Sequence, residues 1–337
     1  MKPDEYWKNF SLGTELDIAG RFIYNALQTF HQMEHFRSEE DAFEFLYALS
    51  VGIERLLKIA LILTEHDKQT DQTKFEQELI THNHQILLGR LQRHHNLNLG
   101  AVHHDLIAVL SRFYKSHRYG RYSLRSVAAH AQERDDLIKF LEKYLKISID
   151  IESMFGITRN ERRHRKFIGK VVGKIVAPVF EIIRNEAYRL NIYTYEIESG
   201  SKADKILQQQ AFDFESEDIL HAELLAYFVS RKSKGPNAKF LRQHAVPVAF
   251  DPALEADYIA ALRSDPKKLA VLDELDTLYQ HGVPAFKSRR DMLDAAVSHY
   301  LGYGDEEEGI MSRLLHMMQD KGRRWREAWG AKFPPNR

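Results

Sequence analysis

Four arginines in this sequence are each followed, five positions later, by a histidine. Near neutral pH an imidazole can accept or donate a proton, and a guanidinium can stabilise negative charge that develops on a phosphate. The pairs are Arg90 and His95, Arg112 and His117, Arg125 and His130, and Arg159 and His164. With 26 arginines and 17 histidines in 337 residues, chance produces about four such pairs when three spacings are allowed. The spacing by itself therefore selects none of them.

Six histidines between positions 82 and 104 are a second group of side chains that could do chemistry, here as metal ligands. They are His82, His84, His94, His95, His103 and His104. Their spacing is typical of no metal site and H-E-x-x-H is absent, so we expect no functional metal. The chain has no cysteine, which excludes thiolate nucleophiles and cysteine-based metal sites. P-loop, Rossmann and nucleophile-elbow motifs are also missing, so we expect no cofactor and no nucleophilic catalysis.

Positive charge is concentrated in two segments, although 48 basic and 48 acidic residues balance over the whole chain. Residues 112–125 contain no acidic residue, and residues 159–174 contain a single acidic residue, Glu161. The side chains in these segments that could contact RNA are Lys115, Tyr119, Arg121, Tyr122, Arg159, Arg162, Arg163 and His164. Two interpretations stay open: a surface for RNA or phosphate, or charge pairing with the acidic segments 213–223 and 305–308. The tyrosines could stack on a base or pack in the protein.

Helical periodicity dominates the chain, and strand alternation is hard to find. After the N-cap signal Ser38, apolar residues recur at i, i+3 and i+4 from 43 to 61, which predicts a long buried helix. Further helices are predicted over 16–33, 73–93, 104–116, 124–147 and 158–191. A break near residue 200, followed by loops rich in Gly and Pro, predicts two domains, 1–198 and 199–337. We therefore expect an all-α protein whose second domain is again mostly helical.

No segment of the sequence is typical of secretion or of membrane insertion. The N-terminus lacks the basic-then-apolar layout of a signal peptide, and the longest apolar stretch, 59–63, is far too short to span a bilayer. We expect a soluble, cytoplasmic protein with no membrane partner.

Three segments of the first 125 residues resemble HEPN domains (higher eukaryotes and prokaryotes nucleotide-binding) in content and order. Residues 51–61, with Glu54 and Lys58, are similar to the E-x-x-x-K second helix of these domains. Residues 81–88, T-H-N-H-Q-I-L-L, resemble the T-H-x-L-x-x-L-L start of the next helix. Residues 110–119 are similar to the L-x-x-x-Y-x-x-x-R-Y segment of the nucleotidyltransferase-associated branch. The resemblance covers about a third of the chain and none of the residues after 200.

The resemblance implies an up-and-down four-helix bundle, here with extra long helices, that pairs with a second copy or with a partner. Many HEPN proteins are metal-independent endoribonucleases of toxin or anti-phage defence systems, in which a histidine acts as general acid or base and an arginine stabilises the phosphate. Other HEPN proteins act by binding alone and catalyse no reaction. The implied partners are RNA, a second copy of the chain, and an antitoxin or other defence-system protein.

The catalytic motif of the nuclease members is an arginine, a polar residue and, after three to five more positions, a histidine at the start of the final helix. Arg125 and His130 fit this position best, because Ser126 follows the arginine and small apolar residues precede the histidine. The family's arginine aligns with Arg118, which has no histidine at the required distance, whereas Arg112 and His117 fall several residues too early. The alternative function is therefore an inactive helical module that binds RNA, a nucleotide or a partner protein.

Overall fold

The structure is a computed structural model of the chain. It describes residues 2–117, 131–153, 157–192, 197–232, 248–263 and 268–280, together with Lys239, Arg242, Arg289 and Leu293. These residues form helices and contain no β-strand, so the all-α prediction is confirmed. Within the same residues, no helix is long and apolar enough to cross a membrane.

Two compact units divide the chain, Met1–Phe214 and Glu215–Arg337. The first unit contains helices of very different length. They are α1 (Pro3–Tyr6), α2 (Leu12–Gln32), α3 (Glu39–Glu65), α4 (Gln72–Leu79), α5 (His84–Gln92), α6 (Ala101–Arg112), α7 (Gln132–Leu145), α8 (Arg162–Arg189) and α9 (Lys202–Leu207). Two π-helical turns, Trp7–Ser11 and Phe113–His117, lead into α2 and out of α6. Because α9 packs on α2, the division falls later than the boundary predicted at 198/199.

The central helix is α3, which the sequence predicts from Ser38 onward. The Ser38 hydroxyl accepts a hydrogen bond of 3.1 Å from the Asp41 amide, and the acidic residues of the first turn complement the positive end of the helix dipole. From Ala42 to Leu63 the helix buries apolar side chains against α2, α5 and α8. A buried helix of this kind is a rigid support for any polar side chain placed on it.

Helices α2 and α3 are in close contact at Gly52. A β-carbon added to Gly52 would lie 2.6 Å from Ile23 Cγ1, 3.0 Å from the Ile23 nitrogen and 3.1 Å from the Ala19 oxygen. Only a residue without a side chain lets the two backbones meet at this distance. The contact fixes α3 against α2 two residues before Glu54.

The helix predicted over 73–93 is interrupted. Residues 80–83 are not helical, and α5 begins after Asn83, whose side chain accepts a hydrogen bond of 3.4 Å from the Ile86 amide. The interruption brings His82 and the start of α5 against α3.

The segment before α8 is tied to the end of α2 by backbone and side-chain contacts. The Asn160 amide donates to the Glu34 oxygen at 2.8 Å, and its Nδ2 donates to the Phe30 oxygen at 2.6 Å. His35 and Arg159 form an isolated antiparallel bridge beside them. These contacts join parts of the chain that are up to 130 positions apart.

The second unit has its own apolar core and a buried ion pair. Its described helices are α10 (Glu215–Lys232), α11 (Glu255–Arg263) and α12 (Lys268–Gln280), with a 3-10 turn at Pro252–Leu254. Tyr227, Phe250 and Tyr258 pack together in its core. Glu223 is completely buried, pairs with Arg289, and accepts a hydrogen bond of 2.5 Å from the Tyr279 hydroxyl.

Candidate functional site

A buried carboxylate on α3 is the centre of a polar cluster in the described part of the first unit. Glu54 lies within the apolar surface of the helix, and its side chain is 10% exposed. The Lys58 ammonium, one turn further along, donates to Glu54 Oε1 at 2.7 Å. This is the i, i+4 pair expected at the E-x-x-x-K segment. It balances the charge of Glu54 and leaves the carboxylate room for a second donor.

The second donor is His82, from the loop between α4 and α5. Its Nδ1–H donates to Glu54 Oε2 at 3.0 Å and to Oε1 at 3.2 Å. The imidazole is 56% exposed, and Nε2 has no hydrogen-bond partner among the described residues. A carboxylate that accepts the Nδ1 proton holds the ring in one tautomer and one orientation, with the basic Nε2 turned to solvent. An arrangement of this kind can accept a proton from a ligand.

His84 and Tyr114 complete the surroundings of His82. His84 is fully buried, and its Nε2–H donates to the Ser50 backbone oxygen at 2.8 Å. Burial lowers the pKa of His84, so this ring is neutral at physiological pH and has a structural role. The Tyr114 ring lies 4.7 Å from the His82 ring and 6.2 Å from the His84 ring. One face of His82 is therefore covered by an aromatic ring.

The cluster combines residues from all three segments that resemble HEPN domains. Glu54 and Lys58 come from the first, His82 and His84 from the second, and Tyr114 from the third. Tyr114 belongs to the π-helical turn Phe113–His117, and π-helical turns occur frequently at functional sites.

Several residues predicted to act in catalysis or RNA binding lie outside the described residues. They are Arg118, Tyr119, Arg121, Tyr122, Arg125 and His130. Of the predicted residues just before them, Lys115 is exposed, and Arg112 makes a 2.8 Å ion pair with Asp136 of α7. His117 is the last residue of the π-helical turn.

The predicted residues at the start of α8 fall into two groups. Arg159, Arg162 and Arg163 are exposed, and Arg163 pairs with Glu161 at 3.2 Å. His164 is fully buried, its Nδ1 accepts a hydrogen bond of 2.9 Å from the Glu161 amide, and burial lowers its pKa. In this structure His164 closes the first turn of α8 and has no access to a ligand.

Of the remaining arginine–histidine pair, Arg90 belongs to an ion-pair network that joins α3, α4 and α5. Arg90 donates to Glu65 at 2.7 Å and pairs with Glu78 at 3.2 Å, while His94 contacts Glu65 at 3.1 Å. His95 contacts the Thr64 hydroxyl at 3.2 Å. In the described part of the chain, no group of three or more His, Asp or Glu side chains is arranged to hold a metal ion.

The sequence indicates Glu54 and Lys58 as a pair, and it presents His82 as one of six histidines that could bind metal and as the histidine of the segment similar to T-H-x-L, but not as a partner of Glu54. The contact between His82 and Glu54 depends on how the loop at 80–83 lies on α3, which no spacing predicts. The available signal in the sequence is Glu54 itself, a charged residue within the apolar stripe of α3, because a buried carboxylate is normally paired with another polar group. Comparisons with protein-family models, with curated proteins and with solved structures find no match to this chain.

Proposed function

We propose that the protein is a metal-independent ribonuclease in which His82, oriented by Glu54, transfers a proton. The observation that carries this proposal is the exposed imidazole whose Nδ1–H is held by a buried carboxylate, itself paired with Lys58. Such a group supplies acid–base catalysis near neutral pH without a metal.

The proposed reaction uses the ribose 2′-hydroxyl as nucleophile. His82 Nε2 accepts the hydroxyl proton, the 2′-oxygen forms a bond to the adjacent phosphorus, and the bond from phosphorus to the 5′-oxygen breaks. The products are a 2′,3′-cyclic phosphate and a 5′-hydroxyl, so the leaving oxygen must receive a proton from a second group. The sequence-based candidates for that group and for the cation beside the phosphate are His130 and Arg125.

The resemblance supports the same reaction class, and we propose membership of the HEPN superfamily on the three segments that meet at His82. With it we propose a role in a toxin or anti-phage defence system, a homodimer that unites two copies of the site, and regulation by a partner protein. A purely monomeric protein by light scattering at assay concentration would contradict the composite site.

The test is incubation of the full chain with labelled total RNA in excess EDTA. Four variants are compared with the wild type: His82→Ala, Glu54→Gln, His94→Ala and the double variant Arg125→Ala/His130→Ala. His94 is the matched control, because it too is a partly exposed histidine paired with a glutamate at about the same distance, 3.1 Å. Acid–base groups contribute on the order of 10²- to 10⁴-fold to rates, so the His82 variant should lose at least a hundredfold.

The outcomes separate the candidate sites. Loss in His82→Ala with full activity in His94→Ala supports the proposed site. Full activity in His82→Ala together with loss in Arg125→Ala/His130→Ala would transfer catalysis to the sequence-predicted pair. The absence of cleavage by a folded, dimeric wild type would favour the second candidate function, a helical module that binds RNA without cleaving it. The missing histidine after Arg118 favours this second candidate.

A further inference from the structure

A groove on the first unit combines a row of lysines with aromatic side chains. It has a volume of about 750 Å³ and lies along α8, between that helix, the N-terminal part of α6 and the segment 210–213. Lys166, Lys170 and Lys174 line it at intervals of four residues, and His103 of α6 faces them. Since an α-helix rises 1.5 Å per residue, the backbone positions of successive lysines are about 6 Å apart along the axis.

The aromatic component of the groove depends on two glycines of α8. A β-carbon added to Gly169 would lie 2.5 Å from the Phe212 backbone oxygen, and one added to Gly173 would lie 2.6 Å from Phe212 Cδ2. The segment around Phe212 therefore lies directly on the helix backbone, beside the lysine row. Phe167 adds a second aromatic side chain to the lining.

The charge of the groove is available to a ligand at its exposed lysines. Lys170 and Lys174 are exposed, and neither makes an ion pair with any residue that the structure describes. One carboxylate, that of Asp213, also lines the groove. His103 accepts a hydrogen bond of 2.9 Å from the Gly100 amide, and burial, with Lys174 nearby, lowers its pKa. The cations of the groove are therefore its lysines.

We propose that this groove binds single-stranded RNA, with its phosphates along the lysine row and a base against Phe212. Proteins that bind single strands combine a cationic groove that follows the backbone with aromatic side chains on which bases stack. The lysine spacing is comparable to the distance between successive phosphates of an extended strand. A bare anion would make no use of the aromatic and glycine surface.

The groove and His82 lie near opposite ends of α6. His103 is at the N-terminal end of α6, and Tyr114, which covers His82, follows its C-terminal end. Eleven residues of helix correspond to about 16 Å, which a few nucleotides can span. The inference rests on the proposed function for the choice of RNA, and it assigns the groove to the nucleotides that flank the cleaved bond.

The test is fluorescence anisotropy with a labelled 2′-O-methyl RNA of about 16 nucleotides, which lacks the 2′-hydroxyl and so remains intact. Lys170→Ala/Lys174→Ala is compared with Lys68→Ala/Lys74→Ala, which removes the same charge from exposed lysines near α4. We expect roughly a tenfold loss of affinity in the groove variant and none in the control. The slope of log K against log salt should also fall by about 1.4, that is by about 0.7 for each phosphate contact removed.

Three results would overturn the proposal: equal affinity and equal slope in the groove variant, equal binding of an RNA duplex, or binding of adenosine monophosphate without binding of the oligonucleotide. Phe212→Leu, which keeps an apolar side chain over the glycines, should weaken binding without changing the salt slope. Binding and cleavage can fail separately. If the protein binds RNA through the lysines but cleaves no RNA, the RNA-binding groove is supported and the ribonuclease proposal is refuted. If the lysine variant cleaves RNA with a normal KM, the RNA-binding groove is refuted.

Discussion

Two glycine-to-alanine substitutions should change the stability of the first unit in opposite directions. At Gly52 the new methyl group would meet Ile23 Cγ1 at 2.6 Å and two backbone atoms of α2 at 3.0 and 3.1 Å. Because backbone atoms cannot turn aside, α2 and α3 must separate, and overpacking of this kind costs up to about 3 kcal/mol. Alanine gains about 1 kcal/mol over glycine inside a helix, so the expected net loss is about 2 kcal/mol.

Gly89 on α5 provides the matched control. Nothing lies within 4 Å of its added β-carbon, so Gly89→Ala should gain about 0.5 to 1 kcal/mol from helix propensity alone. Urea denaturation followed by circular dichroism measures both changes, and hydrogen exchange of peptides from α2 and α3 assigns them to the first unit. A Gly52→Ala protein as stable as the wild type would refute the close approach of α2 and α3 on which the position of Glu54 depends.

Three further changes test the helix cap of α3, the buried ion pair of the second unit and the two buried histidines. Ser38→Ala should cost about 1 kcal/mol in urea denaturation, because the first turn of α3 loses its cap. Glu223→Ala should destabilise the second unit by roughly 3 to 5 kcal/mol, because the buried guanidinium of Arg289 loses the carboxylate that pairs with it. Differential scanning calorimetry measures the change, and cooperative unfolding of that unit at an unchanged midpoint would contradict this expectation. His84 and His164 have lowered pKa values in the folded protein, so the unfolded chain binds more protons below about pH 6.5 and stability falls as the pH drops. Urea denaturation should therefore give a lower free energy of unfolding at pH 5.5 than at pH 7.5, and His84→Gln should lose less between these two pH values than the wild type.

The fold is predictable from the sequence where apolar spacing and capping agree. The residues after Ser38 repeat at helical intervals over many turns, and α3 begins and continues as this spacing predicts. The segment 73–93 shows where spacing fails, because apolar residues continue at helical intervals across residues 80–83 although the chain turns there. Asp71 caps α4 and Asn83 caps α5, so each is a local signal for the start of a helix. The prediction of one continuous helix gave more weight to the apolar pattern than to these two caps.

The candidate site is predictable only in part. Neighbours on one helix, such as Glu54 and Lys58, follow from a spacing of four residues. The pair of Glu54 and His82 joins positions 28 apart and depends on the path of a loop, which tertiary packing decides. The same holds for Arg112, whose partner on α7 is 24 positions away.

The contacts of Asn160 with the end of α2 bear on the order in which the first unit assembles. Helices α2 and α3 are consecutive, so their contact closes a short loop and forms early, whereas Asn160 joins Phe30 across 130 positions. We expect the α2–α3 hairpin to be present in the transition state for folding and the Asn160 contacts to form after it. Asn160→Ala should then accelerate unfolding and leave the folding rate unchanged, while Gly52→Ala slows folding. We therefore expect α3, which carries Glu54, to fold together with α2 first, and α8, which carries the lysine row, to pack against them later.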